Sequence, residues 1–416
     1  MFDPQTVGWI FLGVSVWGAA FTAAALVRAK HLHAFTFFYF MAAWLTGELA
    51  LHHLAWPVVA AAGFVAAGAL ETLPGQLGAV VTLASWVGLC VLWRQAHPVG
   101  AHVAGLVGEH LPGAEHAEAI VQKRTLWHPF RMARPGVERV RNVAYGEVLP
   151  GDKGGRNLLD VVRPSEAGEG RPILLQVHGG GWVYGNKEHQ GQPLMHHLAE
   201  QGWVNFALNY RLAPRAPFPA QIIDVKRCIA WIREHAHEWG GDPDFICITG
   251  GSAGGHLCAL AALTPNDPLW QPGFEHADTR VAAAVPFYGV YDFLDRAAHR
   301  GRSAMAPFLE RLVLKTNPEE DREGWEAASP LSRVSADAPP FLVIHGTHDS
   351  LVFIEEARHF VEQLREKSRE EVVYLEVPNA QPAFDTFHSI RSRHTIAAVT
   401  TFLQHVHGRH GERSDA

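Results

Sequence analysis

The sequence predicts an α/β fold with a mostly parallel sheet and helices on both faces, preceded by an all-α transmembrane segment. Beyond residue 143, apolar runs of four to six residues alternate with helical patterns, which is typical of a sheet covered on both faces. Before residue 97 the chain consists largely of long apolar runs. A chain of 416 residues has room for both parts.

The N-terminal part, residues 1–96, is expected to contain about four transmembrane helices. Its first apolar run, 7–27, is uncharged and long enough to cross a bilayer, and three further runs follow at 34–54, 57–70 and 76–93. A cleaved signal peptide fits poorly, because no basic residues precede the first run. A soluble helical bundle is the other alternative. Glu48 should face the bundle interior, since a carboxylate is costly in lipid.

The side of the membrane is marked by few charges. Arg28 and Lys30 favour a cytoplasmic first loop, which with four spans puts the C-terminal domain outside the cytoplasm. Arg94 argues the other way, and a count of three spans would reverse the assignment. We therefore expect a multi-pass membrane protein with an extracytoplasmic C-terminal domain.

The connector at 97–142 has two short helical patterns, 102–110 and 114–125, and is expected to lie along the next domain. That domain spans 143–408 and is followed by a polar tail, 409–416. It should open with an antiparallel hairpin and continue with alternating strands and helices; the predicted strands are 143–149, 158–162, 173–177, 204–208, 246–249, 282–285, 341–344 and 372–377, and the predicted helices are 193–201, 221–239, 253–263, 354–367 and 390–406. A polar insertion at 301–332 should cover the carboxyl end of the sheet.

Composition argues against several classes of function. The net charge of -7 and the lack of a basic block argue against nucleic-acid binding. The four cysteines form no CxxC pair, and the histidines at 97, 102, 110 and 116 lack the spacing of a metal site. We expect neither a metal nor an organic cofactor.

A Gly250-x-Ser252-x-Gly254 pattern joins the predicted strand 246–249 to the predicted helix 253–263. It is the signature of a nucleophile elbow, a sharp turn that exposes a serine hydroxyl. The turn is so tight that side chains two positions either side of the serine would clash. Alone, the pattern also fits a glycine turn without chemistry.

Two further motifs follow strands, at the sheet edge where α/β proteins bind ligands. The run His178-Gly179-Gly180-Gly181-Trp182 can form an oxyanion hole in which the N–H groups of Gly180 and Gly181 act together with that of Ala253. A plain glycine loop is the alternative, and no Gly-Lys-Ser/Thr follows to suggest phosphate binding.

Asp349 follows the strand 341–344, where it can orient a histidine, although it could instead cap the next helix. The histidine should lie after the last strand, and His388 is the candidate, with a plain loop residue as the alternative. The order Ser252, Asp349, His388 is that of α/β-hydrolases.

Together with Tyr210–Pro214 and Phe218–Ala220, these motifs resemble the hormone-sensitive-lipase-like branch of α/β-hydrolase esterases over about residues 145–406. With its apolar N-terminal part, the chain is similar to membrane-bound carboxylesterases of actinobacteria. The resemblance implies a serine carboxylesterase or lipase that hydrolyses a small-molecule or lipid ester through an acyl-enzyme. It also implies that Gly180, Gly181 and Ala253 hold the oxyanion.

The chain departs from the family pattern in three places. Gly251 and Arg215 stand where the family commonly has acidic residues. Pro382 occupies the place of the family's usual histidine, so the base must come from His388 or the triad is incomplete. Two alternatives follow: an impaired hydrolase-fold protein that binds or scaffolds, and an amidase or prenylcysteine-methylesterase-like hydrolase.

Overall fold

An eight-stranded sheet organises the chain beyond residue 136. A computed structural model describes residues 3–28, 35–111, 126–301 and 305–414. The predicted helix at 114–125 and the side chain of Lys30 lie outside these ranges. The strands are β1 (Val137–Ala144), β2 (Leu158–Pro164), β3 (Arg171–Val177), β4 (Val204–Leu208), β5 (Gly241–Gly251), β6 (Ala283–Phe287), β7 (Phe341–Gly346) and β8 (Val372–Val377).

The strand order is β1-β2-β4-β3-β5-β6-β7-β8. The β1–β2 and β2–β4 pairs are antiparallel, and the remaining pairs are parallel. The predicted mostly parallel sheet with an antiparallel hairpin at its start is confirmed. β4 and β6 are buried along their whole length, as expected for strands with helices on both faces.

The first strand lies six residues earlier than predicted. Its pairing with β2 shifts register between Val140 and Val143, and Asn142 between them has a φ of 60°. Such a bulge breaks the two-residue alternation of apolar side chains by which a strand is recognised. The sequence pattern therefore indicated the wrong stretch.

The predicted helices of the C-terminal part are all present within a few residues, except that the last continues to Ser414. The helices of the whole chain are α1 (Pro4–Leu26), α2 (Thr36–Glu48), α3 (Ala50–Ala66), α4 (Leu73–Ala96), α5 (Val99–His110), α6 (Gln192–Glu200), α7 (Ala220–His235), α8 (Ala253–Leu263), α9 (Met305–Phe308, continued as a π-helix over Leu309–Leu314), α10 (Arg322–Ala327), α11 (Ile354–Lys367) and α12 (Ile390–Ser414). Short 3-10 turns lie at Ala69–Glu71, Ala236–Trp239, Pro268–Trp270 and Pro330–Arg333.

The N-terminal helices, α1 to α4, form what we call the helical region. Within the described residues, two helices are long and apolar enough to cross a membrane, namely α1 and the run of α4 and α5. The pair α2 and α3 passes the same test together but is bent by 93°, so it counts as at most one more span. By length and composition, two or three segments of the described residues could therefore cross a membrane, fewer than the four expected, because two predicted runs belong to one bent pair.

Contacts between these helices show how their ends are arranged. Val7 and Phe11 near the start of α1 cluster with Ala61 and Ala69, whereas Ala25 near its end clusters with Ala50, Leu89 and Leu92. The end of α1, the start of α3 and the end of α4 therefore share one end of the helical region.

That end of the helical region faces the sheet domain. Arg28, just after α1, contacts Glu355 of α11 at 3.4 Å. Val99, Val103 and Val107 of α5 pack in the same apolar cluster as Ala398 and Phe402 of α12. The C-terminal domain is therefore attached at the end where α1 and α4 finish.

Candidate active site

Ser252 lies between β5 and α8, with the strained backbone of a nucleophile elbow. Its φ of 57° and ψ of -118° are outside the regions that residues with a side chain normally adopt. The conformation is held from both sides: the Ser252 N–H donates to Phe287 O at 2.9 Å, and Ser252 O accepts from the His256 N–H at 2.9 Å. The side chain is thus presented at the carboxyl end of β5.

The two glycines of the pattern are required by contact with backbone. A Cβ on Gly250 would lie 2.5 Å from Gly254 O and 2.6 Å from Val177 O. A Cβ on Gly254 would lie 2.2 Å from Val177 O. The steric explanation inferred from the sequence agrees with these distances.

The glycine loop after β3 lies beside the serine. A Cβ on Gly179 would come within 3.3 Å of Ser252 Cβ, so loop and elbow are in direct contact. Gly180 and Gly181 have φ values of 118° and 58°, which favour glycine. Within the described ranges, the N–H groups of Gly180, Gly181 and Ala253 donate to no protein acceptor, so they are available to a ligand.

Trp182, the last residue of this loop, is held in place by hydrogen bonds that run through His256. Trp182 Nε1 donates to His256 Nδ1 at 3.2 Å, and His256 Nε2 lies 2.8 Å from Ala328 O. Because His256 Nδ1 accepts, Nε2 carries the proton and donates to the carbonyl. Burial lowers the pKa of His256 to about 3, so the ring is neutral and serves as a structural link.

Asp349 is fully buried three residues after β7. Its Oδ1 accepts from the N–H groups of Leu351 and Val352, each at 2.8 Å. Its Oδ2 has no hydrogen-bond partner in the described structure, although His345 Nε2 is 3.1 Å away and bonds instead to Val352 O. Asp349 does not cap α11, whose N-cap is Phe353, so one carboxylate oxygen is free to orient another group.

His388 is buried, and neither ring nitrogen has a hydrogen-bond partner in the described structure. Its N–H donates to Pro129 O at 2.9 Å, so the residue is held against the connector. Burial and the nearby charge of Arg134 lower its pKa to about 4. The structure brings Ser252, Gly180, Gly181 and Ala253 together, but it does not join His388 to Asp349 by a hydrogen bond.

Pro382, at the family's histidine position, lies in a segment that contacts the Asp349 loop. Ala380 O accepts from the His348 N–H at 3.0 Å, and Ser350 Oγ donates to Gln381 Oε1 at 2.9 Å. The segment that contains Pro382 therefore lies beside the loop of Asp349.

Tyr288 and Asp385 are site neighbours that the sequence patterns did not single out. The Tyr288 hydroxyl donates to Asp385 Oδ1, and a Cβ on Gly251 would lie 2.6 Å from the same hydroxyl. Tyr288 thus fills the space beside Gly251, next to the serine. Burial raises the pKa of Asp385 to about 6. The signal in the sequence that could have indicated this contact is that an aromatic residue, Tyr288, directly follows β6.

The insertion at 301–332 approaches the glycine loop, as predicted. A Cβ on Gly181 would lie 3.1 Å from Cζ of Phe308 in α9. Its ring therefore forms part of the wall around the free N–H groups. Across the described ranges, no cluster of three or more His, Cys, Asp or Glu side chains is placed to hold a metal ion.

A strained serine under a glycine-rich loop, at the carboxyl edge of a mostly parallel sheet, is the hallmark of α/β-hydrolases. A family model described as BD-FAE matches residues 159–364. Among solved structures, Thermogutta terrifontis esterase 2 phosphonylated by sarin has a TM-score of 0.50 and 28% identity, covering 60% of this chain and 86% of that one.

Two proteins of Mycobacterium tuberculosis have higher sequence identity to the chain than this solved structure. The chain is 46% identical to the probable carboxylic ester hydrolase LipM of Mycobacterium tuberculosis, over 81% of this chain and 84% of that protein. It is 48% identical to the esterase LipQ of the same organism, over 72% of this chain and 70% of that protein. The chain belongs to this family of hormone-sensitive-lipase-like α/β-hydrolase enzymes.

Proposed function

We propose that the chain hydrolyses carboxylic esters of apolar acyl groups at a membrane, through an acyl-enzyme formed on Ser252. The observation that carries the proposal is the strained turn at Ser252 beside three unengaged N–H groups, those of Gly180, Gly181 and Ala253. The similarity to the probable carboxylic ester hydrolase LipM and to the esterase LipQ supports it.

In this mechanism Ser252 Oγ attacks the acyl carbon and the carbonyl oxygen becomes an oxyanion. The N–H groups of Gly180, Gly181 and Ala253 stabilise it by roughly 3–4 kcal/mol per donor, the size measured for such donors elsewhere. The serine proton goes to the base and then to the leaving alcohol. Water enters in the second half of the reaction and releases the acid.

His388 is the proposed base, and Asp349 the residue that orients it. Because its pKa is about 4, the His388 ring is neutral at neutral pH. Neither ring nitrogen has a hydrogen-bond partner in the described structure. Asp349 has one oxygen without a hydrogen-bond partner in the described structure. Catalysis requires the His388 ring to meet that oxygen, so the mechanism depends on where the segment around Pro382 and His388 is held.

The preference for apolar acyl groups rests on the helical region. A cavity of about 250 Å³ lies between α1, α2, α3 and α4 and is lined mainly by apolar side chains. Its wall includes the hydroxyl of Thr46, which is 1% exposed and has no hydrogen-bond partner in the described structure. Space of this size suits one acyl chain rather than a whole lipid.

We assign the hydrolase domain to the cytoplasmic side of the membrane. Arg28 and Arg94 lie at the end of the helical region that faces the hydrolase domain, and Lys30 follows Arg28 in sequence. Asp3 and Glu71 lie near the other end, where no basic residue occurs in residues 1–6 or 67–75. Because basic residues favour the cytoplasmic side, three spans favour this orientation. It is opposite to the one expected from four spans.

Ester hydrolysis is tested with p-nitrophenyl esters of increasing chain length and detergent-solubilised full-length protein. We expect hydrolysis, loss of it in Ser252→Ala, and a fall in kcat of about 10²- to 10⁴-fold in His388→Ala, the usual contribution of a general base. Equal rates in wild type and Ser252→Ala would refute the esterase.

The position of the base is decided by two more variants. Loss of activity in Ser252→Ala but not in His388→Ala would reject His388. A gain in Pro382→His, in the presence of His388→Ala, would show that the family position is the productive one. Parallel assays with p-nitroanilides separate an amidase from an esterase.

A further inference from the structure

The segment 378–391 holds both positions that bear on the base, Pro382 and His388. We call it the base-bearing segment. It runs from the end of β8 to the start of α12 and contains no strand or helix before Ile390. Two of its residues contact the rest of the C-terminal domain: Gln381 accepts a hydrogen bond from Ser350, and Asp385 accepts one from Tyr288. Because the segment has no regular secondary structure before Ile390, its conformation depends on tertiary contacts.

Trp44 of α2 makes such contacts in the middle of the segment. Its Nε1 donates to Ala383 O at 3.0 Å. Ala383 has a φ of 63°, a left-handed conformation that is unfavourable for a residue with a side chain. The Trp44 ring also packs on Phe387, with centroids 5.4 Å apart, and Phe130 of the connector packs on Phe387 at 5.3 Å.

Glu48 at the end of α2 holds both ends of the segment through Arg391. Glu48 Oε1 and Arg391 Nη1 are 3.0 Å apart, and the two side chains are only 2% and 1% exposed. Arg391 Nε also donates to Pro378 O at 2.9 Å. A buried charge left without its partner is strongly destabilising, so this pair keeps α2 and the segment together.

We propose that Trp44 and Glu48 are positioning residues: α2 holds the base-bearing segment at the sheet edge where Ser252 and Asp349 lie. The proposal rests on the proposed esterase function. It makes the helical region a structural part of the active site as well as a membrane anchor. The physical reason is that a displacement of about 1 Å of a catalytic group can cost about 10²-fold in rate.

The test uses full-length protein and the ester assay, with Trp44→Phe, Trp44→Leu and Glu48→Gln. We expect kcat to fall about 10- to 100-fold in Trp44→Leu and Glu48→Gln, with KM changed less than about twofold. Trp44→Phe, which keeps a ring but loses the N–H donor, should lie between these and wild type. Rates are measured well below the unfolding temperature of each variant, where a purely stabilising contact would leave kcat unchanged.

Gln76→Ala is the matched control. Gln76 lies near the start of α4, at the other end of the helical region, where its exposed side chain donates from Nε2 to Leu70 O at 3.0 Å. Its loss perturbs the helical region without touching the base-bearing segment. We expect wild-type kcat.

The ion pair is tested by a double-mutant cycle. Glu48→Gln, Arg391→Gln and the double variant should show non-additive losses of kcat, because the two groups act as a unit. Glu48→Asp should restore more activity than Glu48→Gln. Hydrogen exchange should be faster in the segment of Trp44→Phe and unchanged in β3 and β5, a readout that holds even if Glu48→Gln fails to fold.

The two levels of the proposal fail separately. If Ser252→Ala is inactive while Trp44→Leu and Trp44→Phe keep wild-type kcat and exchange, the positioning role is overturned and the esterase stands. If Ser252→Ala hydrolyses esters like wild type, the proposed function itself is refuted.

Discussion

At the scale of single residues, Ser252 depends on neighbours that take no part in its chemistry. Gly250 and Gly254 let β5 turn into α8 next to the carbonyl of Val177. The requirement is purely steric, and this is why a motif of three residues was enough to predict the turn. The space at Gly251, in contrast, is filled by Tyr288, a residue 37 positions away that the motif does not mention.

Gly250→Ala should disrupt the elbow. The added methyl group would lie 2.5 Å and 2.6 Å from two backbone oxygens, which cannot move aside as a flexible side chain could. We expect a loss of about 1–3 kcal/mol in the free energy of unfolding and near-complete loss of kcat. Chemical denaturation and the ester assay measure the two effects.

Gly105→Ala is the control for that substitution. Gly105 lies in α5, and a Cβ there would meet no atom within 4 Å. The change should raise stability slightly, since alanine favours helix, and leave kcat unaltered. A Gly250→Ala enzyme with normal kcat would contradict the steric account of the turn.

At the scale of elements, the break between α2 and α3 differs most from the sequence expectation. Glu48 was expected to face the interior of a helical bundle, but it ends α2 and pairs with Arg391 of the hydrolase domain. Hydropathy identifies a run as apolar without showing which helix bends or what it meets. The partner of Glu48 lies 343 positions away, beyond the reach of any local pattern.

The basic residues at the ends of α1 and α4 are the basis of the proposed membrane orientation, which reporter fusions can test. Reporter proteins fused to the C-terminus should report the cytoplasm: a fused green fluorescent protein should be fluorescent and a fused alkaline phosphatase inactive. The same reporters at the N-terminus should give the opposite result, because α1 begins at the other end of the helical region. An active C-terminal phosphatase would contradict the assigned side.

At the scale of the whole molecule, four histidines with strongly lowered pKa values link stability to pH. Burial, the largest cause in each case, lowers the pKa of His178 and His256 to about 3 and that of His197 and His388 to about 4. All four rings are therefore neutral in the folded protein at neutral pH. In the unfolded chain they take up protons below about pH 6.5.

Stability should therefore fall on acidification. Between about pH 6.5 and 4 the unfolded state binds more protons at these histidines, so the free energy of unfolding decreases by at most about 1.4 kcal/mol per histidine and pH unit. Asp385 acts in the opposite direction, because its pKa is raised to about 6 and its protonated form favours the folded state. Burial raises the pKa of Glu200, Asp224 and Glu371 as well, whereas hydrogen bonds from arginine lower the pKa of Asp278 and Glu376. Because these carboxyl groups act in both directions, we expect the histidines to dominate.

The unfolding temperature at pH 7.5 and pH 5.0 measures this effect. We expect a lower value at pH 5.0, and a smaller difference in His197→Gln, which removes one of the four sites. An unfolding temperature that does not change between these pH values would contradict neutral buried histidines.

The sequence by itself determined the α/β architecture, the elbow, the glycine loop and the place of Asp349. These features depend on residues close together in the chain, whose apolar runs and glycines are governed by local sterics and burial. β1 is the exception, because the bulge at Asn142 hides its alternation.

Only the tertiary structure decided what surrounds the base-bearing segment. The contact of Trp44 with Ala383 and the pair of Glu48 with Arg391 join residues more than 330 positions apart. The same holds for the bent pair α2 and α3, which reduces the possible number of spans. Such contacts arise when whole elements pack against one another, and no local pattern of residues encodes them.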